Sequence, residues 1–305
     1  VTVPSLGYAD PCYAASLAEF GTIRRLPASG GAVVVRPLPT GGDADAIGPY
    51  PVFDCLDWSA LATDVDGLRG ELVSLVIVTD PFADDADAAV RAAGADLLRP
   101  YKPHFVVDLA TPPDEIGRPS RRRTAERALD GLDVAATSGS AADPQEWVRL
   151  YEHVVRRHAV TGIAAFSATS LAAQLALPGA ELLTARHRGE LVAAQLCLRR
   201  GGVVHSHLAA SSPEGYRLRA MHGLDLFALG HFAVSARWFD FGGGSGGPDD
   251  GLADYKRSWS TGTRQTWLGG WVLDRAAYER AAGPAAIDTA GYFPRYRDGS
   301  RPGPR

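Results

Sequence analysis

The chain has 305 residues, 46% apolar and 22% charged, with a formal net charge of −4. That length suits two domains of ordinary size, each with a real core. The acidic balance excludes a global basic field, so a nucleic-acid partner would need a local basic surface.

Taken in order, residues 10–20 predict a first helix, with Asp10 as N-cap and Pro11 at the first helical position. Strands follow at 21–25 and 32–36, the second carrying the β-branched run Val33 to Val35. Residues 47–53 are expected to be extended, because prolines disfavour helix before them. A helix at 58–68, a central strand at 71–78, a helix at 83–93 and a strand at 102–108 close this part. A linker at Thr111 leads to a basic segment, 118–127, read as exposed helix. Next come a strand at 132–137 and an amphipathic helix at 144–158, with Trp147, Leu150, Tyr151 and Val154 on one face. A short helix at 166–175 precedes three strands at 182–187, 190–199 and 203–210. A long helix at 216–236, a strand at 237–241, a glycine loop, a helix at 250–258 and a strand at 264–273 complete the series. The order of elements in 10–108 recurs in 144–273 with one extra helix. It implies an α/β fold of two tandem domains, each a mixed, mostly antiparallel sheet flanked by helices. The expected division is 1–110, 111–275 and a C-terminal extension, 276–305.

Cys12, Cys55 and Cys197 are far apart, odd in number and without CxxC spacing, which argues for a reducing compartment and against a disulfide framework or structural zinc. No apolar run reaches the ~20 residues of a membrane span. The first residues lack a basic-then-apolar signal pattern. A cytoplasmic protein is expected.

The stretch from Trp238 to Trp259 organises the functional reading. Five glycines lie between Phe241 and Pro248, so the backbone there can turn sharply or approach a ligand. Asp249 and Asp250 offer N-cap oxygens to a helix carrying Tyr255 and Lys256. One reading is a plain strand-to-helix turn with a solvated lysine. The other is a site at a strand end, where α/β sheets place ligands, with Lys256 stabilising an oxyanion. His205 and His207 share a strand face by period-two alternation. They read either as a half-buried hydrogen-bonded pair or as the home of a base, His207, that takes an amine proton. No third ligand has metal spacing. Asp240 faces opposite to Phe239 and Phe241 and would bind an ammonium or cap a turn.

Several segments resemble the Fem-type family of aminoacyl transferases, which are tandem GNAT proteins. Residues 47–53 (Ile-Gly-Pro-Tyr-Pro-Val-Phe) resemble the Pro-Tyr-rich turn of the first Fem domain. Residues 120–134 resemble the basic helix and strand that open the second, and 190–196 its hairpin strand. Phe239-Asp-Phe-Gly followed by Gly251-Leu-Ala-Asp-Tyr-Lys256 resembles the closing motif. The resemblance spans roughly 10–273. It implies transfer of an aminoacyl group from aminoacyl-tRNA to an amine, forming an amide, with Lys256 implicated and no metal or redox cofactor. It also implies that the amine-bearing acceptor sits between the halves. Most of the Pro-Tyr-Gly pattern of the cell-wall enzymes is missing from 49–53, which favours a small-molecule acceptor beside a peptide. Tyr50 and Arg36 would line an acceptor cleft, unless Tyr50 simply packs, and Ser211 is a substrate-binding candidate; Arg217 and Arg219 would either meet phosphate or carboxylate or stand as plain exposed arginines. Arg121, Arg122, Arg123, Arg127, Arg156 and Arg157 would face tRNA or form a plain solvated face. Acyl-CoA is the alternative donor. Residues 211–221 have a single Gly215, and a proline and a glutamate where a CoA cradle wants free amides. A non-catalytic binding module on the same fold is the third reading.

Overall fold

The computed structural model describes residues 5–39, 41–244, 251–283 and 291–298. Eleven strands follow in chain order: β1 (Thr22–Arg25), β2 (Ala32–Pro37), β3 (Ala44–Ile47), β4 (Ser74–Val78), β5 (Leu97–Asp108), β6 (Asp133–Ser138), β7 (Glu181–His187), β8 (Glu190–Arg200), β9 (Val203–Ser211), β10 (Trp238–Gly243) and β11 (Gly262–Val272). The repeated order of helix, three strands, helix, strand, helix, strand is present in both halves. The fold class is the expected one.

The compact units are not contiguous in sequence. One contains residues 1–16 and 102–265, the other 17–101 and 266–305. The boundaries expected at 110 and 275 therefore do not describe them. The reason is an exchange of closing strands. β5 leaves the unit of the first repeat at residue 101, and its second half pairs antiparallel with β10. β11 makes the reverse passage, and its second half pairs antiparallel with β4. Each repeat thus lends its last strand to the other unit.

In the unit of 17–101 and 266–305, β1 and β2, β2 and β3 pair antiparallel, while β3 and β4 run parallel. Val33, Phe53, Leu61, Leu75, Ile77 and Trp271 pack on one face. Val76, Leu97, Val272, Tyr278 and Phe293 pack on another. The indole of Trp271 is fully buried and donates to Ala93 O at 2.9 Å, so its polar atom is satisfied.

In the other unit, β6, β7, β8 and β9 form an antiparallel meander, and β9 and β10 run parallel. Leu183, Ala185, Ala193, Cys197, Val204, Phe239 and Phe241 pack against the helix Ala220–Ala233 and Ala125 of the helix Pro119–Leu129. Phe232 stacks on Phe239, and Phe241 meets Phe239 edge-on. The predicted long helix at 216–236 is two helices, Pro213–Leu218 and Ala220–Ala233, separated by Arg219 at φ +55°. Gly215 lies so close to β8 that a Cβ there would stand 2.0 Å from Val192 O. That approach fixes the first helix against the sheet.

Candidate active site at the end of β10

β10 begins with residues that pack and ends with residues that bend. At its end the register against β5 slips between Asp240 and Gly243, and Gly242 takes φ +77°, a conformation that favours glycine. The amide of Gly242 donates to Asp240 Oδ1 at 2.7 Å, which closes the turn. Residues 245–250, including the N-cap aspartates, lie outside the described residues.

The sequence contains two lysines, Lys102 and Lys256; the other basic side chains of the chain, histidine aside, are arginines. Both lysines meet at this turn. Lys256, on the helix Gly251–Arg257, donates from Nζ to Gly243 O at 2.6 Å, and Lys102 donates from Nζ to Gly244 O at 3.3 Å. A Cβ at Gly242 would lie 3.4 Å from Lys256 Nζ, an ordinary contact, so the ammonium rests directly against this turn. Lysine differs from arginine as a compact point charge with three rotatable donors. In a chain that otherwise uses arginine, both lysines fall on consecutive carbonyls of this turn.

Below the turn, Asp240 is buried and accepts at Oδ2 from two imidazoles, His104 Nδ1 at 2.9 Å and His205 Nδ1 at 3.1 Å. Burial alone would raise its carboxyl, but the charges and hydrogen bonds of His104 and His205 outweigh it and hold the group well below the usual carboxylate range. The ionised oxygen only accepts, so both histidines carry their proton on Nδ1. Among the described residues His104 has no other hydrogen-bond partner. Its Cδ2, the ring carbon bonded to Nε2, is 3.5 Å from where a side chain at Gly243 would begin. As expected, Asp240 faces away from Phe239 and Phe241. Both imidazoles bind the one carboxylate, and no group of His, Cys, Asp or Glu among the described residues is arranged to hold a metal ion.

His205 and His207 do share a face, since Tyr8 packs on both rings. His207 is the extra residue of a bulge in β9 and sits in the core. Gln174 donates its amide N–H to Ser170 Oγ, so its Oε1, 3.0 Å from His207 Nε2, accepts from that nitrogen. Nδ1 then accepts from the Tyr8 hydroxyl at 3.2 Å. Burial, reinforced by the nearby His205, pushes its pKa down to about 3. Both nitrogens are engaged, which matches the hydrogen-bonded reading and leaves no lone pair for a substrate. His207→Gln is expected to keep turnover within a few-fold of wild type while costing about 1–3 kcal/mol for groups left unpaired. Urea denaturation beside steady-state assays checks it.

On the opposite face of the sheet a second buried network backs Lys256. The hydroxyl of Tyr255 donates to Asp225 Oδ2, and Gln195 Nε2 donates to Asp225 Oδ1 at 3.2 Å. His222 lies 3.4 Å from the same hydroxyl and accepts at Nε2 from Arg121 at 2.7 Å. Burial raises the Asp225 carboxyl to about 7, opposed by the Tyr255 and Gln195 hydrogen bonds and by the charges of Lys256 and Arg121. A pKa raised on folding stabilises the fold fully below the unfolded value and loses that contribution as pH rises through the folded one. Wild type should therefore lose stability relative to Asp225→Asn between about pH 4 and pH 7, as read from urea midpoints of the two proteins across that range.

The remaining expected site residues are dispersed. Ser211 is buried at the end of β9. Arg217 bonds Glu214 one turn away, and Arg219 is the left-handed residue between two helices. Tyr50 and Arg36 belong to the other unit, where Arg36 pairs with the buried Asp45 at 3.3 Å. Of the arginines expected to face tRNA, Arg121 is spent on His222 and on Ser258 Oγ at 3.0 Å, and Arg122 on the carbonyls of Pro113 and Ile116. Arg123 and Arg127 are exposed on the same helix. Arg156 pairs with Glu152, and Arg157 stands 4.2 Å over the exposed ring of Tyr216. Sequence reasoning missed Lys102 and His104, which it read only as part of a strand. The scarcity of lysine was the available signal for the first. A shallow cavity of about 340 Å³ lined by Asp108, Trp238 and Arg264 lies at the opposite end of β10 and contains none of these groups.

Residues 119–257 match the acetyltransferase (GNAT) domain family. The chain superposes on FemX with a TM-score of 0.63 at 14% identity, covering 88% of this chain and 93% of that one. A C-terminal domain (DUF2156) assigned to a lysylphosphatidylglycerol synthetase of Agrobacterium fabrum gives a TM-score of 0.62 at 17% identity, covering 88% and 89%. L-PGS of Bacillus licheniformis gives 0.57 at 14%, covering 88% and 93%. The chain has a Fem-like tandem fold, and the segment 119–257 within it is similar to the GNAT domain. No curated protein sequence matches it. The turn bearing Lys256 falls at the end of the GNAT segment. Among the described residues no helix is long and apolar enough to cross a membrane.

Proposed function

We propose that this protein is a Fem-like N-acyltransferase that moves an aminoacyl group from aminoacyl-tRNA to the amine of a small-molecule or peptide acceptor. The observation that carries the reading is the convergence of both lysines on the turn at Gly243 and Gly244, next to the Asp240 histidine pair. An ammonium held there is placed to stabilise the negative oxygen that develops when an amine adds to an ester carbonyl. A charged tRNA is already an activated ester. Holding it against a neutral amine supplies most of what the reaction needs. Proteins of this fold include FemX and an assigned lysylphosphatidylglycerol synthetase domain, which supports aminoacyl transfer over other GNAT chemistry.

The donor choice also rests on the helix after β9. A CoA pyrophosphate wants free amides at such a helix start. Here Ser212 Oγ accepts the Gly215 amide at 3.1 Å, and Pro213 has no amide hydrogen. The Glu214 carboxylate, held below its ordinary value by hydrogen bonds from Arg217, adds negative charge. Binding separates the donors. Charged tRNA is expected to raise the melting temperature while CoA at micromolar concentration leaves it unchanged. Stabilisation by CoA with no response to charged tRNA would favour the acyl-CoA alternative.

A further inference from the structure

An amine acceptor must lose a proton during the transfer, and four histidines belong to the two buried networks and the core pair described above: His104, His205, His207 and His222. Three of them are unsuited. His207 has both nitrogens engaged inside the core. His222 gives its Nε2 lone pair to Arg121, and burial together with the charges of Arg121 and Arg219 lowers it to about 4. His205 is buried with the Tyr8 ring packed 5.1 Å from its own. His104 is buried as well, but among the described residues no aromatic ring packs on it and no second group takes its other nitrogen. Its Nδ1–H is held by Asp240, which fixes the tautomer and leaves Nε2 as an acceptor. The edge of its ring that includes Cδ2 approaches Gly243, the residue whose carbonyl anchors Lys256. A buried carboxylate orienting an imidazole through Nδ1 is the arrangement that serves general bases on unrelated folds.

We propose that His104 is the general base of the transfer, with Asp240 as its positioning residue; this rests on the acyl-transfer reading above. The amine nitrogen adds to the ester carbonyl carbon, forming the C–N bond, and its proton passes to Nε2 of His104. The carbonyl oxygen takes the electron pair and is met by the ammonium of Lys256. When the intermediate collapses, the C–O bond to the tRNA ribose breaks and the imidazolium returns the proton to the leaving oxygen. One ester and one amine give one amide and one hydroxyl, and no other reactant is consumed. The charged and titratable groups around His104 are Asp240 on the adjacent β10, His205 on β9 beyond it, Lys102 two residues away on its own strand, and Lys256 at the Gly243 carbonyl.

The test has two arms. In the first, His104→Gln and His104→Ala are assayed with charged tRNA beside Lys256→Ala, with thermal melts confirming that each folds. His104→Gln is expected to lower kcat by about 10²–10⁴. Added imidazole should restore part of the His104→Ala rate. Unchanged kcat in both His104 variants, with Lys256→Ala impaired, would overturn the base and leave the acyl-transfer reading standing. Unchanged kcat in all three would overturn both. The second arm needs no turnover: nitrogen-15 histidine spectra of the wild-type protein should show His104 protonated at Nδ1 and bare at Nε2. A signal for the opposite tautomer would overturn the proposal whatever the assay shows.

Discussion

Lys256→Ala is expected to lower kcat by roughly 10²–10³, the usual effect of removing one donor to a developing oxyanion, with little change in KM for either substrate. The reason is geometric. The ammonium is anchored on Gly243 O at 2.6 Å and lies over the bare backbone of Gly242, so it is in place before the charge appears. Lys256→Arg should recover little. A planar, delocalised guanidinium does not reproduce the compact point charge of an ammonium. Rapid-quench measurement of amide formation with saturating charged tRNA checks both variants. A Lys256→Ala enzyme with wild-type kcat and a raised KM would move the lysine from chemistry to binding.

The second large effect concerns stability. Asp240→Ala is expected to cost about 3–5 kcal/mol, because it strands two buried imidazole N–H groups and the Gly242 amide without an acceptor. The sign of its pH dependence follows from a carboxyl held well below its ordinary value. Such a group stabilises the fold above the unfolded pKa, about 3.9, and the contribution is lost as pH falls toward the folded value. The gap between wild type and Asp240→Ala in urea should be constant above about pH 5 and narrow below about pH 4. A gap that grows on acidification would contradict the ionised carboxylate at the centre of the site.

Much of this architecture was legible because it is local. The β-branched runs, the Trp147 stripe and the glycine turn before Lys256 each declare themselves within a dozen residues, and the repeated order of elements follows from them. The exchange of closing strands was not legible. β5 pairs with β10 across more than a hundred residues, and nothing in either segment encodes the partner. His104 and Lys102 were missed for that reason: their chemistry appears only when β5 crosses into the other unit. The break at Arg219 left no trace either, since arginine is not a residue that normally signals a left-handed backbone. The arginine run at 118–127 was read by charge alone. Two of its members are consumed by carbonyls and side chains of their own unit, a distinction that composition cannot make.

The most direct measurement incubates the protein with a total pool of charged tRNA and a panel of amines and reads the products by mass. The account predicts a new amide whose added mass is one aminoacyl residue, absent when tRNA is uncharged and reduced about a hundredfold or more with Lys256→Ala. Amides formed from acetyl-CoA, with none from any charged tRNA, would contradict it.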